Sequence, residues 1–359
     1  MMRKTSIVLS ILCIIGMLAG CKTAKDPASA GTHKVEQTTT QTQKTTTTTK
    51  PQFDVNYLTG EKDIVVGQEQ RPVGIMVGNN AKSRPQYGLN KADMLVEAET
   101  EGGITRIMAL FSNADRIPKI GPVRSARTPF VTIATTMGAV YCHAGGSVAA
   151  LKAIKNNTIA NINALVYDGG MENKNNNTFW RDRTLFNQKG QEYSMLTKGE
   201  NVAYRMKKMG YRTTATKTAP FTFGDSGFAG AGNQLQCKMS WTDTVNFRYN
   251  SNTGKYTKYL GTLAENTAHK LADGGKIEVR NVLVIYADRY NENNTTINFT
   301  LNTGSGVALT GGKSSPMKWT FGSQGLSFKQ DNGAALQLTP GKTYICIVSK
   351  ANSSATVIK

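Results

Sequence analysis

Two arginines stand three residues apart in the stretch KIGPVRSARTPF, between two prolines and just before an apolar run. Thr128 followed by Pro129 favours a helix start, with Thr128 as the N-cap and Pro129 as the first helical residue. Free amides and the positive end of the helix dipole attract an anion there, and two guanidinium groups strengthen that attraction. The stretch therefore predicts an anion site that includes Arg124, Ser125 and Arg127.

The anion at this site has two possible origins. Glu97 or Glu99 would fill the site from within and form an Arg/Glu network that fixes the fold, as buried ion pairs do without necessarily adding stability. Alternatively, the arginines receive a carboxylate or a phosphate from outside. The residues themselves leave both explanations open.

A glycine pair in LVEAETEGGITRIMAL predicts a two-residue hairpin turn between two alternating strands. This turn places Glu99 opposite Arg106. Because side chains alternate at a period of two, Glu97, Glu99, Glu101 and Arg106 are predicted to share one face of the hairpin. We therefore expect a cross-strand ion pair between Glu99 and Arg106.

A second glycine pair lies in AVYCHAGGSVAALKAI, between a predicted strand and a predicted helix. Gly145 and Gly146 would let a ligand approach backbone amides closely, and Ser147 is the expected N-cap of the helix. His143, at the end of the strand, is a candidate site residue, and an ordinary core histidine is an equally good interpretation of it.

The same segment comes near the nucleophile-elbow pattern of serine hydrolases, but Ala149 stands where a second glycine is expected. Asp168 and His269 follow in the order that a catalytic triad would need. Capping already explains Ser147, however, and His269 lies in a different predicted domain, so the pattern favours a helix cap.

The chain opens with MMRKTSIVLSILCIIGMLAGC, in which two basic residues precede an apolar core. This core is shorter than the ~20 residues that a membrane-spanning helix needs. We predict a lipoprotein signal peptide over residues 1–20, with the thiol of Cys21 acylated after cleavage. A plain signal peptide with a chance cysteine is the alternative.

Residues 21–53 are rich in Thr, Gln and Lys and contain too few apolar residues to offset the entropy of ordering, so a disordered tether is predicted. A flexible chain of this length reaches ~30 Å. The protein is therefore expected on the extracytoplasmic face of the cell membrane, anchored through Cys21.

The net charge is +19 and the isoelectric point is near 9.7. Export argues against nucleic acid as the partner and leaves lipid head groups, polyanionic wall polymers or a cell-wall enzyme. Cys142, Cys237 and Cys346 lie in apolar contexts and are expected as buried reduced thiols. The spacing of Cys and His resembles no metal site, and neither a metal nor a cofactor is expected.

Residues 54–218 alternate apolar strands with helical segments, whereas residues 219–359 contain many short strands separated by Gly, Asn and Asp turns. The chain is therefore predicted to be α+β, with a mixed α/β N-terminal domain followed by an antiparallel β-rich C-terminal domain. In the first domain, strands are predicted at 72–78, 92–101, 104–112, 138–144 and 164–169, and helices at 129–137, 147–155 and 197–209.

The stretches LVEAETEGGITRIMAL, KIGPVRSARTPF and HAGGS, together with NTFWRDR and the C-terminal DNGAALQLTPGKTYICIV, resemble the YerB-like family of bacterial lipoproteins. The function of this family is not established. The resemblance implies two domains and a site in the first of them. The site residues that it implies are Arg84, Glu97, Glu99, Arg106, Arg124, Arg127, His143, Trp180, Arg181 and Asp182. One departure is that the family usually has a Pro-His-Asn segment after Asp182, whereas this chain reads RTLFNQKGQEYS without a histidine.

Two functions are compatible with these residues. The first is a binding or regulatory protein of the cell envelope that recognises an anionic group through an Arg/Glu/His cleft. The second is a hydrolase of wall glycan or peptide that uses Glu97 and Glu99, which would stand ~6.6 Å apart on one strand. Arg106 opposite Glu99 would lower the pKa that a general acid needs raised, so binding is favoured. An enzyme would need one carboxylate in a ligand-sized groove without an Arg partner.

Overall fold

The computed structural model describes residues 52–171, 177–216, 220–322 and 325–359. The predicted signal peptide, Cys21 and all but the last two residues of the predicted tether lie outside this part, as does the domain division near Thr218. Phe53, assigned to the tether, already belongs to the first strand. The division at 218 therefore stays a prediction.

Two groups of strands flank residues 217–219, and the α-helices lie before them. Up to residue 216 the strands are β1 (Phe53–Val55), β2 (Lys62–Val65), β3 (Val73–Gly78), β4 (Met94–Glu101), β5 (Ile104–Phe111), β6 (Val140–His143), β7 (Asn161–Asn163), β8 (Trp180–Arg181) and β9 (Met195–Leu196). The α-helices are α1 (Thr128–Thr136), α2 (Val148–Asn156), α3 (Arg183–Lys189) and α4 (Gly199–Lys208). Short 3-10 turns cover Leu89–Lys91, Ala114–Arg116, Gln191–Tyr193 and Lys350–Ala355.

The later part of the chain is built from short strands. They are β10 (Thr222–Phe223), β11 (Gly230–Ala231), β12 (Gln234–Lys238), β13 (Thr244–Asn250), β14 (Lys255–Leu260), β15 (Thr267–Ala268), β16 (Glu278–Val279), β17 (Asn281–Asn291), β18 (Ile297–Thr300), β19 (Thr303–Thr310), β20 (Lys313–Gly322), β21 (Gly325–Gln330), β22 (Gln337–Leu338), β23 (Thr343–Ser349) and β24 (Val357–Ile358). The protein is thus strand-rich and broadly α+β.

One large sheet contains strands from both parts of the chain, in the order β11-β20-β19-β17-β23-β4-β5-β3-β6-β7. The strand β23 joins the two parts, because it pairs in parallel with β17 on one side and with β4 on the other. The predicted antiparallel β-rich C-terminal domain is therefore confirmed only in part, because β23 pairs in parallel with β17 and β10 pairs in parallel with β22. The β23 sequence TYICIVS is buried at every residue, as is typical of a central parallel strand.

Each face of the large sheet has its own apolar core. A second sheet, β15-β14-β13-β12-β24, contributes Val245 and Phe247 to a core with Val284 and Tyr344 of the large sheet. On the other face, α1 contributes to a core with the inward residues of β4, β5 and β17. The cysteines of the described residues, Cys142, Cys237 and Cys346, are all buried free thiols, as the sequence predicted.

Most of the strands and helices predicted before residue 216 are present, but the strand expected at 164–169 is wrong. These residues form a turn, in which the side-chain oxygen of Asn163 accepts hydrogen bonds from the amides of Leu165 and Gly145. Asparagine favours such turns because its side chain bonds to the backbone two residues on. Leu165 and Val166 are consequently exposed. Helix α3 was not predicted.

Candidate functional site

The β4–β5 hairpin turns at Gly102 and Gly103, whose φ angles of 55° and 78° suit glycine. Its register differs from the prediction, because a β-bulge between Glu99 and Glu101 inserts one extra residue. Arg106 therefore lies opposite Ala98, and the predicted ion pair of Glu99 with Arg106 is wrong. The bulge also moves Glu101 to the opposite face from Glu99.

Glu101 binds two arginines on that opposite face. One carboxylate oxygen pairs with Arg106, and the other lies 2.9 Å from Nε of Arg127. Arg106 also donates to the carbonyl oxygen of Ser125 at 2.6 Å. Burial, and secondly the charge of Arg127, lower the pKa of Arg106 to about 9. Arg127 thus has an internal anion, but that anion is Glu101 rather than Glu97 or Glu99.

Helix α1 begins one residue earlier than predicted, with Arg127 as N-cap and Thr128 as its first residue. The Thr128 hydroxyl is buried without a hydrogen-bond partner and so does not cap the helix. The guanidinium group at the start of α1 is therefore already paired with an internal carboxylate, that of Glu101.

Glu99 is 2 % exposed and is held by Arg289 of β17, whose Nε lies 2.7 Å from its carboxylate. Glu97 is fully buried beside it in sequence. Its oxygens accept hydrogen bonds from Asn79 at 2.6 Å, Thr105 at 2.7 Å and the Tyr344 hydroxyl at 2.6 Å. The hydrolase interpretation requires one of these carboxylates to stand unpaired in a groove. Neither Glu97 nor Glu99 does so.

Lys258 of β14 completes the surroundings of Glu97, with Nζ 3.4 Å from the carboxylate and no exposed side-chain surface. Lys258 also donates to Nδ1 of His269 at 3.2 Å, and Nε2 of His269 donates to Gln86 at 2.9 Å. The side chain of Gln86 donates to Asn79, which closes a ring of hydrogen bonds back to Glu97. We call this ring the Glu97 network.

The Glu97 network requires a neutral His269 that accepts at Nδ1 and donates at Nε2. Burial lowers the pKa of His269 well below its usual value, and the charges of Lys258 and Arg84 lower it further. Burial also raises the pKa of Tyr344, and adjacent Glu97 adds to that effect, so the phenol keeps its proton and donates it. The network is sealed and links the two parts of the chain.

His143 is 1 % exposed and stacks on Tyr141 with ring centroids 5.2 Å apart. Its Nδ1 lies 2.7 Å from the carbonyl oxygen of Gly145, and Nε2 lies 3.3 Å from the side-chain oxygen of Asn161. Burial lowers its pKa, so the ring is favoured in its neutral form. His143 is a satisfied core histidine, and the predicted cleft of Arg, Glu and His side chains does not assemble.

The turn through Gly145 and Gly146 also has an internal anion. Ser147 caps α2, as predicted, by accepting from the amide of Ala150 at 3.2 Å. The carboxylate of Glu292, from the β17–β18 hairpin, accepts from the amide of Ala149 at 3.2 Å and lies 3.3 Å from the Ser147 hydroxyl. This turn is therefore a structural contact between the two parts of the chain.

A cavity beside Arg124 is lined by charged side chains, and we call it the Arg124 pocket. It has a volume of about 340 Å³ and is lined by Val123, Arg124, Ser125, Ala144, Leu165, Arg181, Gln191, Glu192 and Met195. Arg124 pairs with the Glu192 carboxylate and donates to the Glu192 carbonyl oxygen at 2.7 Å. Its guanidinium lies over the ring of Tyr193, 4.9 Å from the centroid.

The second arginine of the pocket, Arg181, lies 2.8 Å from Asp168 and donates to the carbonyl oxygen of Gln191 at 2.7 Å. The arginine side chains are only 9 % and 11 % exposed, whereas the Glu192 side chain is 66 % exposed. The pocket is thus a pair of nearly buried cations with one carboxylate that extends into solvent.

Of the residues proposed from sequence, the pocket brings together Arg124, Ser125 and Arg181. The neighbours of Arg181 have structural roles, because Trp180 packs in a small apolar cluster and Asp182 caps α3 by accepting from Leu185 at 3.0 Å. Arg84 lines a different cavity.

Sequence reasoning missed Gln191 and Glu192. Both lie in RTLFNQKGQEYS. No spacing or motif within this segment indicates that it contributes to a site.

Two family patterns match the chain in order. The first, described as the N-terminal domain of a protein of unknown function (DUF3048), matches residues 58–212, and the corresponding C-terminal domain matches residues 235–345. The chain belongs to this family. The resemblance predicted from sequence is confirmed, because the chain is 27 % identical over 307 residues to "Putative lipoprotein YerB" of Bacillus subtilis (strain 168).

That match covers 83 % of this chain and 87 % of the relative. The crystal structure of YerB from Bacillus subtilis superposes with a TM-score of 0.72 at 26 % identity, over 84 % of this chain and 98 % of the other. Within the described ranges, no helix is both long and apolar enough to cross a membrane. The same residues contain no group of three or more His, Cys, Asp or Glu side chains that could hold a metal ion.

Proposed function

We propose that this DUF3048 protein is a lipoprotein held by acylated Cys21 at the extracytoplasmic face of the bacterial membrane. There it binds an anionic group of a wall polymer, a wall peptide or a partner enzyme in the Arg124 pocket. The observation that carries the proposal is the contrast between the buried Arg124 and its exposed partner Glu192.

The ion pair of Arg124 and Glu192 differs from the other acidic contacts described above. Glu97 and Glu99 are at most 2 % exposed, and the Glu101 side chain is 24 % exposed and shared by two arginines. An exposed carboxylate loses little when it returns to water, because surface ion pairs are weak. Buried Arg124, in contrast, needs an anion beside it. A ligand carboxylate can therefore replace Glu192.

The lining of the pocket favours a carboxylate attached to a short aliphatic group. Val123, Ala144, Leu165 and Met195 contribute apolar surface beside the arginines. Asp168 already balances Arg181, so only one charge is exchangeable. The volume lies at the lower end of small-ligand sites. The free C-terminus of a peptide, or an acidic side chain, has this combination of one charge and a small apolar neighbour.

Short peptides with a free C-terminal carboxylate should raise the melting temperature of the wild type by the increment RT ln(1 + [L]/Kd). The same peptides with an amidated C-terminus should not raise it. Arg124→Gln should lose the increment, whereas Glu192→Gln should enlarge it because the internal competitor is removed. Thermal unfolding with each peptide measures the effect.

Arg183→Gln is the matched control, since Arg183 is exposed, lies two residues from Arg181 and does not line the pocket. It should respond to the peptides as the wild type does. Equal shifts with acid and amide peptides, or an undiminished shift in Arg124→Gln, would refute binding in this pocket.

Cys21→Ser should abolish acylation and should either release the protein or cause the unprocessed precursor to accumulate. Cell fractionation and the migration of the precursor measure this outcome. Cys13→Ser, within the predicted signal peptide, should leave anchoring unchanged. An unaltered membrane fraction of Cys21→Ser without precursor would show that the lipid anchor is not what holds the protein.

A further inference from the structure

A second cavity, of about 740 Å³, is lined by residues from both parts of the chain, and we call it the Lys270 pocket. Arg84 borders it from the earlier part, and Lys270 and Lys276 border it from the later part. The lining contains these three cations and no carboxylate. This charge is different from that of the Arg124 pocket, where each arginine has an acidic partner.

Lys270 and Lys276 lie directly opposite each other in an antiparallel β-bridge. Like charges in this position destabilise a β-structure. Both lysines are exposed, and neither forms an ion pair within the described ranges. An anion between the two ammonium groups would convert this repulsion into attraction.

Arg84 is partly buried and donates one hydrogen bond, from a terminal nitrogen to the carbonyl oxygen of Asn79 at 2.9 Å. Within the described ranges Arg84 forms no close ion pair, and its charge acts on the Asp243 carboxylate only from beyond salt-bridge distance. Its remaining N–H groups form a planar fork that matches two oxygens of a phosphate. Arg84 therefore has donors available for a ligand.

The remaining lining of the pocket supplies no counter-charge. His269 is fully buried and already hydrogen-bonded to Lys258 and Gln86. Asn266 and Thr267 add exposed polar side chains. The site thus combines three cations with neutral donors.

We propose that Arg84, Lys270 and Lys276 form a second anion site, which binds phosphate groups carrying two or more negative charges. A single carboxylate would leave two of the three positive charges uncompensated, whereas an oligophosphate or adjacent phosphodiesters would compensate them. The phosphate could come from a soluble compound or from lipid head groups. This site does not depend on the Arg124 pocket, so either proposal can fail alone.

Calorimetric titration of the purified chain with tripolyphosphate, orthophosphate and acetate, at constant ionic strength, tests the site. Tripolyphosphate should bind more tightly than orthophosphate, and excess acetate should not displace it from this site. Arg84→Gln, Lys270→Gln and Lys276→Gln should each weaken the tripolyphosphate affinity about tenfold, since each removes a charge-assisted contact. Arg183→Gln, which lines neither pocket, should bind tripolyphosphate as the wild type does.

Lys329→Gln is the control, because Lys329 lies in a similar antiparallel bridge but faces Ala335. It should leave binding unchanged. Without phosphate, Lys270→Gln should raise the melting temperature because the lysine pair no longer repels, and Lys329→Gln should not. Equal binding by all variants would overturn the proposal, since it would reveal only general attraction to a basic protein.

Two vesicle preparations distinguish the sources of the phosphate. Vesicles of phosphatidylglycerol that displace tripolyphosphate from the wild type, when neutral phosphatidylcholine vesicles do not, would assign the site to lipid head groups. Failure of both preparations to displace bound tripolyphosphate would assign it to soluble phosphate compounds. Displacement by both preparations alike would contradict a site that selects phosphate charge.

Discussion

Lys258→Met should lower the free energy of unfolding by about 3–5 kcal/mol, which is the usual cost of leaving a buried charge without its partner. Lys258 and Glu97 have no exposed side-chain surface, and their charged atoms lie 3.4 Å apart. The substitution also removes the donor to Nδ1 of His269. Urea-induced unfolding measures the loss.

The double variant Glu97→Gln/Lys258→Met should lose less stability than the sum of the single variants, because the two groups interact directly. Lys255→Met is the matched control, since Lys255 lies in the same strand but is exposed. Its effect should stay within about 0.5 kcal/mol. A Lys258→Met variant as stable as this control would show that the ion pair of Lys258 with Glu97 does not stabilise the core.

Glu101→Gln should destabilise the protein by about 3 kcal/mol or more, because Arg106 and Arg127 then share no carboxylate while both stay buried. A double-mutant cycle of Glu101 with Arg106 should give a coupling free energy of ~0.5–3 kcal/mol. The cycle of Glu99 with Arg106 should give a smaller coupling, because the β-bulge places them on opposite faces.

Asp288→Asn is the control for charge removal, since Asp288 and its partner Lys350 are both exposed and such a surface pair contributes at most about 1 kcal/mol. Chemical unfolding of all variants under one set of conditions provides the comparison. If Arg106 coupled more strongly to Glu99 than to Glu101, the hairpin would have the regular register without a β-bulge.

Short sequence motifs determined the turns and the helix starts of this protein. The glycine pair placed the hairpin turn correctly, and Ser147 identified the start of α2, because turn and cap preferences depend on a few neighbouring residues. The start of α1 was also found to within one residue. The family resemblance followed from motifs read in order along the chain.

The partners of the charged residues were decided by the tertiary structure. One inserted residue in β4 reassigned Arg106 from Glu99 to Glu101, and no turn rule reveals a bulge inside an alternating strand. The partners of Glu99 and Glu97, Arg289 and Lys258, lie more than 150 positions away in sequence.

These partners come together because β23 pairs with β4 and because the sheet that contains β14 packs against the same face. The sequence by itself therefore determined the family, the hairpin, the main helices and a cluster of arginines. Only the folded chain decided which arginines are satisfied internally and which still face a cavity, since that depends on contacts between residues distant in sequence.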